Sequence, residues 1–266
     1  MKIEELKTKQ NRDGGFGRFH SMSYDSDLTT EKALRRFLFL NLNKDEDIVQ
    51  RSLDYLEKCL NKEIKIPDRR EKVINWDVFE ELMFTSWLSI FNYNTSKTSE
   101  VKNKWKRIIE KSIVNNELDP IIYKKEYRSK FGPNGTREIS PSTFYMVTLL
   151  KDVLEDDKKS CYFKYIMENG IYYIYNENIY KLPSKFDSKN TINYLLAIKF
   201  LIPFKTKNDD LEFVRNWLLE NKHSEYWDMP SLKPDGIVFP RSENWRNNKN
   251  KIKDINEFII EIFKKI

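Results

Sequence analysis

Between Gln10 and Phe19 the chain reads Gln-Asn-Arg-Asp-Gly-Gly-Phe-Gly-Arg-Phe, and three of its seven glycines fall within four positions. Gly14, Gly15 and Gly17 reach positive φ at little steric cost, and Asp13 bonds readily to nearby backbone in turns. A stretch with so little side-chain bulk forms a tight corner, and Phe16 and Phe19 supply that corner with an apolar plug. Thr29 or Thr30 caps the helix that follows, at about 30–42, and Glu31 in its first turn is favoured by the helix dipole. Ala33, Leu34, Phe37 and Leu38 form its buried stripe.

Written as Gln-x-x-Asp-Gly-Gly-Phe-Gly followed by Thr-Thr-x-x-Ala-Leu, the stretch resembles the repeat of the squalene-cyclase and protein-prenyltransferase superfamily. There a Gln and an aromatic after Gly-x or Gly-Gly tie neighbouring helical hairpins of an α/α toroid. Gln10, Gly14 and Phe16 match, with Phe where cyclases more often carry Trp. One good copy covers about residues 3–60. Weaker echoes start at Asn169-Gly170-Ile171-Tyr172-Tyr173 and at Asp235-Gly236-Ile237-Val238-Phe239, each followed by a spacer and an apolar helix. The resemblance implies an all-α ring of helical hairpins using residues 1–266 as a single domain. It also implies an apolar or isoprenoid-like ligand in a central cavity. It implies no particular reaction, because one fold hosts many activities. The other reading of the same residues is a Gly-rich connection in an unrelated helical protein.

Helical spacing recurs along the rest of the chain. Short apolar periodicities mark helices at about 3–9 and from Val49 to Leu60. From Trp76 to about Asn92 apolar residues cover most of the helix circumference, which places that helix inside the protein. Amphipathic helices follow at about 99–115 and 120–131. Ser140-Pro141 signals a helix running to Leu154. Others lie at about 159–168 and 189–202, and at the end, where Ile252, Ile255, Ile259, Ile262 and Ile266 keep the spacing. About eleven helices result, with no strand except a short extended stretch at 171–175.

Chemistry is less legible. Asp77, Glu80 and Glu81 fall at i, i+3 and i+4 on the apolar helix, so their carboxylates share one face. Facing a cavity, they would have raised pKa values and serve as proton donor or base; at the surface, they would pair with Arg69, Arg70 or Lys72. Trp76, Trp87, Tyr145, Tyr172 and Tyr173, with Trp227 and Trp245, would line an apolar pocket or plug the core. Asp25-Ser26-Asp27-Leu28 resembles the cyclase Asp-x-Asp-Asp acid, with Leu in the last place. Adjacent acids at Asp156-Asp157 and Asp209-Asp210 match helix starts better than a metal cluster. Cys161 and His223 resemble two zinc ligands of prenyltransferases, but Lys159 stands where the Asp belongs, and zinc needs three or four ligands. No metal and no cofactor is expected.

The charge balance, 47 basic against 41 acidic residues, is spread rather than clustered. Lys124, Lys125, Arg128, Lys130 and Arg137, with Glu126 among them, read as a solvated face and not as a nucleic-acid surface. No apolar run approaches the ~20 residues that span a bilayer. Cys59 and Cys161 in apolar helical settings fit reduced thiols and a cytoplasmic location. The expected partner is an apolar small molecule. The alternatives are a protein or peptide held on a toroid rim without catalysis, and a carbohydrate bound on the aromatic platforms.

Overall fold

The corner that opens the chain is built by one side chain. In a computed structural model that describes residues 1–20, 28–132 and 136–266, the Gln10 amide nitrogen lies 3.0 Å from the Gly14 carbonyl, 2.9 Å from that of Ile48 and 3.0 Å from the Ser52 hydroxyl. Gln10 ends the first helix, α1 (Ile3–Lys9), and the last two of those partners belong to α3 (Asp47–Leu60). Gly14 has φ 96°, and a Cβ there would run into the Arg51 carbonyl. At Gly15 a Cβ would press on the Tyr55 ring at 3.0 Å. The glycines are required by this close approach of corner to helix.

The protein is all-α, with eleven α-helices among the described residues. The chain divides into two compact units, one of residues 1–72, 76–101 and 234–251 and one of residues 73–75, 102–233 and 252–266.

In the first unit α2 (Thr30–Phe39) starts at the cap Thr29, whose hydroxyl accepts the Lys32 N–H. The helix packs on α3, and α3 packs on α4 (Trp76–Ile90). Residues 82–89 of α4 are all buried, as a helix apolar around its circumference demands. Its Ser86 and Ser89 hydroxyls are satisfied by the Leu82 and Thr85 carbonyls one turn back.

The division between the units falls within α5 (Ser96–Ser112) and α11 (Asn248–Phe263). In the second unit the spacing that predicts helix to Asn115 gives way at Ile113. A hairpin of two-residue strands takes over, β1 (Ile113–Val114) against β2 (Glu117–Leu118). Asn115 and Asn116 both have positive φ, the conformation a two-residue hairpin turn needs and Asn tolerates. The helix α6 (Pro120–Phe131) follows with Asp119 as cap and Pro at its first position.

Ser140-Pro141 does not open a helix. Ser140 instead accepts the Thr143 N–H in a turn, and Thr143 caps α7 (Phe144–Leu150), whose seven residues are all buried. Then come α8 (Asp156–Asn169), α9 (Lys189–Leu201) continuing into a 3-10 turn, and α10 (Glu212–Glu220). Residues 171–175 form a turn closed by an Ile171–Tyr175 bridge and not a strand. Among the described residues no helix is long and apolar enough to cross a membrane.

Candidate functional site

The acids of α4 part company. Asp77 reaches outward to Arg70 at 2.7 Å, both side chains more than half exposed. Glu81 lies 3.5 Å from Lys97, which also holds Glu100 at 3.1 Å. Glu80, like Glu81, is half-buried. Burial raises its pKa, with the Trp76 indole and Arg70 opposing and Asp77 and Asp68 adding to the rise. The surface pairing with Arg70 weighed for this trio therefore describes Asp77.

Trp76 is buried against Phe79, ring centroids 5.6 Å apart. Trp87 is fully buried, with the Arg35 guanidinium 5.8 Å from its ring. Trp245 stacks on Phe239 at 4.9 Å within the first unit. Trp227, in the second unit, donates to the Leu218 carbonyl and packs on Phe263. These four rings fill space between elements.

The tyrosines form a cluster of their own in the second unit. Tyr172 and Tyr173 have ring centroids 4.3 Å apart, and Tyr173 lies 5.7 Å from the buried Tyr145. Gly170 caps α8 at φ 74°, where a Cβ would meet the Tyr175 and Glu177 carbonyls, so the chain leaves the helix in one direction only. The Tyr172 N–H then donates to the Ser142 carbonyl at 2.8 Å, and its own carbonyl accepts the Phe144 N–H at 3.0 Å. These bonds fix the turn on the start of α7. Tyr173 sits at φ 79°, an uncommon place for a bulky residue, and Tyr173 and Tyr172 stay 41% and 47% exposed. Three residues singled out for ligand binding, drawn from two distant stretches, are thus brought together, while Trp76 and Trp87 belong to the other unit.

A second cluster lies beside the glycine corner, around Glu31, which local sequence marks only as a helix-start acid. Glu31 is buried in the first turn of α2. Its carboxylate is 3.0 Å from Arg35 and 3.4 Å from Nδ1 of His20. Burial alone would raise the Glu31 pKa, but Arg35 and His20 outweigh it and hold the group at about 2. His20 shows the converse: burial disfavours its charge, yet Glu31, Asp68 and Glu71 shift its pKa upward. Asp68 accepts the backbone N–H groups of Phe19 and His20 at 2.6 and 2.7 Å. The one signal available in sequence is a rare histidine one residue past the corner's plug.

The other acidic pairs are spent on local structure. Asp210 accepts the Thr206 and Lys207 N–H groups, and Asp156 and Asp157 pair with Lys159 and Lys158. Asp25 and Asp27 lie outside the described residues. Cys59 is buried and Cys161 only half-buried, both as free thiols. Among the described residues no three His, Cys, Asp or Glu side chains gather as they would around a metal ion. The basic residues of α6 are partly compensated: Glu138 takes Arg128 at 2.7 Å and Lys124 at 3.8 Å, and Lys111 takes Glu126. Compared with protein-family models, with curated proteins and with solved structures, the chain matches none.

Proposed function

We propose that this protein binds an elongated apolar molecule, isoprenoid-like in class, against the Tyr145–Tyr172–Tyr173 cluster, on a helical scaffold of the α/α-toroid kind. The observation that carries the reading is Tyr173, held at φ 79° with its ring exposed on Tyr172. That conformation costs a side-chain-bearing residue roughly 1–2 kcal/mol. Strain kept in a well-bonded turn, with two large apolar faces left in water, fits a surface shaped in advance for a ligand. The ligand class comes from the resemblance of the Gln10–Phe19 corner to the cyclase and prenyltransferase repeat. The Gln10 bonds to α3 support that resemblance, since a Gln tying neighbouring helices is its structural content.

A thermal-shift series tests the binding. A free polyprenol, an isoprenoid diphosphate and an oligosaccharide are each added to the wild type and to Tyr172→Ala and Tyr173→Ala. A ligand that binds only the folded form raises its stability by about 2.7 kcal/mol at a hundred times its Kd. The expected result is a rise in Tm with the polyprenol that both substitutions abolish. A rise with the oligosaccharide alone would move the ligand to the carbohydrate class. No rise with any of the three, or a rise unchanged by the tyrosine substitutions, would sink the proposal.

A further inference from the structure

The corner segment and α2 are joined at more than one point. The Phe16 N–H donates to the Thr30 hydroxyl at 2.9 Å, the Thr30 N–H to the Arg18 carbonyl at 2.9 Å, and the Glu31 N–H to the Phe19 carbonyl at 3.1 Å. The backbone of residues 16–19 thus takes up N–H groups that a helix start leaves unpaired. Next in the chain, His20 turns its ring toward Glu31, whose carboxylate is buried and already anchored by Arg35. A buried anion with a fixed cation on one side and an imidazole on the other has one partner whose charge is permanent and one whose charge depends on pH.

We propose that His20 is a proton-operated tie, fastening residues 16–20 to the start of α2 when its ring is doubly protonated and loosening them when it is neutral. The charged groups around it act in the same direction. From α2 come Glu31 and, behind it, Arg35; from the 61–75 loop come Asp68 and Glu71. The helix α4 presents Phe79, its ring edge-on to the imidazole at 6.1 Å, while Glu80 of that helix acts on the Asp68 side. Among the described residues acids outnumber cations in this shell, and they favour the imidazolium despite partial burial. Loss of the proton leaves the carboxylate of Glu31 with Arg35 and removes the ionic half of the fastening. The bonds at Thr30 and Glu31, and those from the Phe19 and His20 N–H groups to Asp68, stay in place.

Two measurements on the whole chain decide it. In the wild type, the His20 imidazole is titrated by NMR, folded and in denaturant. Amide exchange at Phe16, Thr30 and Glu31 is followed at pH 5.5 and pH 8.0, corrected for intrinsic exchange, in the wild type and in His20→Gln. The tie predicts that folded His20 titrates at higher pH than the denatured chain, and that protection at those amides falls several-fold between the two pH values. In His20→Gln the protection stays low and equal at both. A folded midpoint at or below the denatured one overturns the proposal. So does wild-type protection that is the same at both pH values, or a His20→Gln variant that keeps the pH-dependent change.

Discussion

Arg36 reaches across the chain to the carbonyl of Pro240, with Nη2 2.5 Å from that oxygen. The same guanidinium donates to the Met1 carbonyl through Nε and Nη2, at 2.9 and 2.8 Å, and lies 3.3 Å from the Ile237 carbonyl. The side chain is 1% exposed. A buried cation is tolerable only when its donors are occupied, and here backbone carbonyls from both ends of the first unit occupy them.

Replacing Arg36 by Leu should therefore cost about 3 kcal/mol or more, since several buried carbonyls lose a charged donor together. Denaturant melts of the variant against wild type would show it. A loss under about 0.5 kcal/mol, the scale of an ordinary surface substitution, would mean that the guanidinium is not the clamp described.

The corner glycines should differ sharply. Gly14→Ala meets the Arg51 carbonyl in addition to an unfavourable φ, whereas at Gly17, with φ 81°, no atom of the described residues lies within 4 Å of an added Cβ. Gly17→Ala should cost only the conformational penalty of roughly 1–2 kcal/mol, and Gly14→Ala distinctly more. Gln10→Ala belongs beside them, at about 1–3 kcal/mol for leaving the Ser52 hydroxyl and two carbonyls short of a donor. Equal melting points for the two glycine variants would contradict the packing of Gly14 on α3.

At the tyrosine turn the usual order of Gly and Ala should invert. Tyr173→Ala loses the ring contacts and keeps the φ of 79°, while Tyr173→Gly relieves the strain. The Gly variant should be the more stable of the pair by about 1 kcal/mol. Chemical denaturation of both variants checks this.

Stability should fall on both sides of a pH window set by His20 and Glu31. Glu31 has its folded pKa depressed, from 4.5 to about 2, so its contribution is present above pH 4.5 and lost as pH falls through 2. For His20 the folded pKa is raised above 6.5, so its contribution is full below pH 6.5 and lost as pH rises through the folded value. Between about pH 4.5 and 6.5 both are present. Melting temperature against pH should peak there, with His20→Gln flattening the alkaline side and Glu31→Gln the acid side. Glu31→Gln should also lower the unfolding free energy within that window by about 3 kcal/mol, as breaking a buried ion pair does.

What the sequence determined by itself is the set of helices and the places where the chain must turn. The helix at Ile3–Lys9, the cap at Thr29 and the buried run of α4 all follow from local rules, because capping and apolar spacing act within a few residues. The corner was legible for the same reason: Gly14 and Gly15 announce that something comes close, though only the fold shows it to be Arg51 and Tyr55. Local rules failed at Ile113, where the Asn115–Asn116 pair turned a helix end into a hairpin, and at Ser140, where tertiary bonds moved the cap to Thr143.

The candidate sites were a different matter. Asp77, Glu80 and Glu81 share a face by spacing, but which one is shielded depends on where Arg70 and Lys97 happen to lie. Glu31 is legible in sequence only as a helix-start acid and Arg36 carries no local signal, yet tertiary structure buries both. The Tyr145–Tyr173 contact joins stretches whose separation no periodicity spans. Burial of a charge and convergence of distant side chains are settled by three-dimensional packing, where desolvation and partner geometry are decided together.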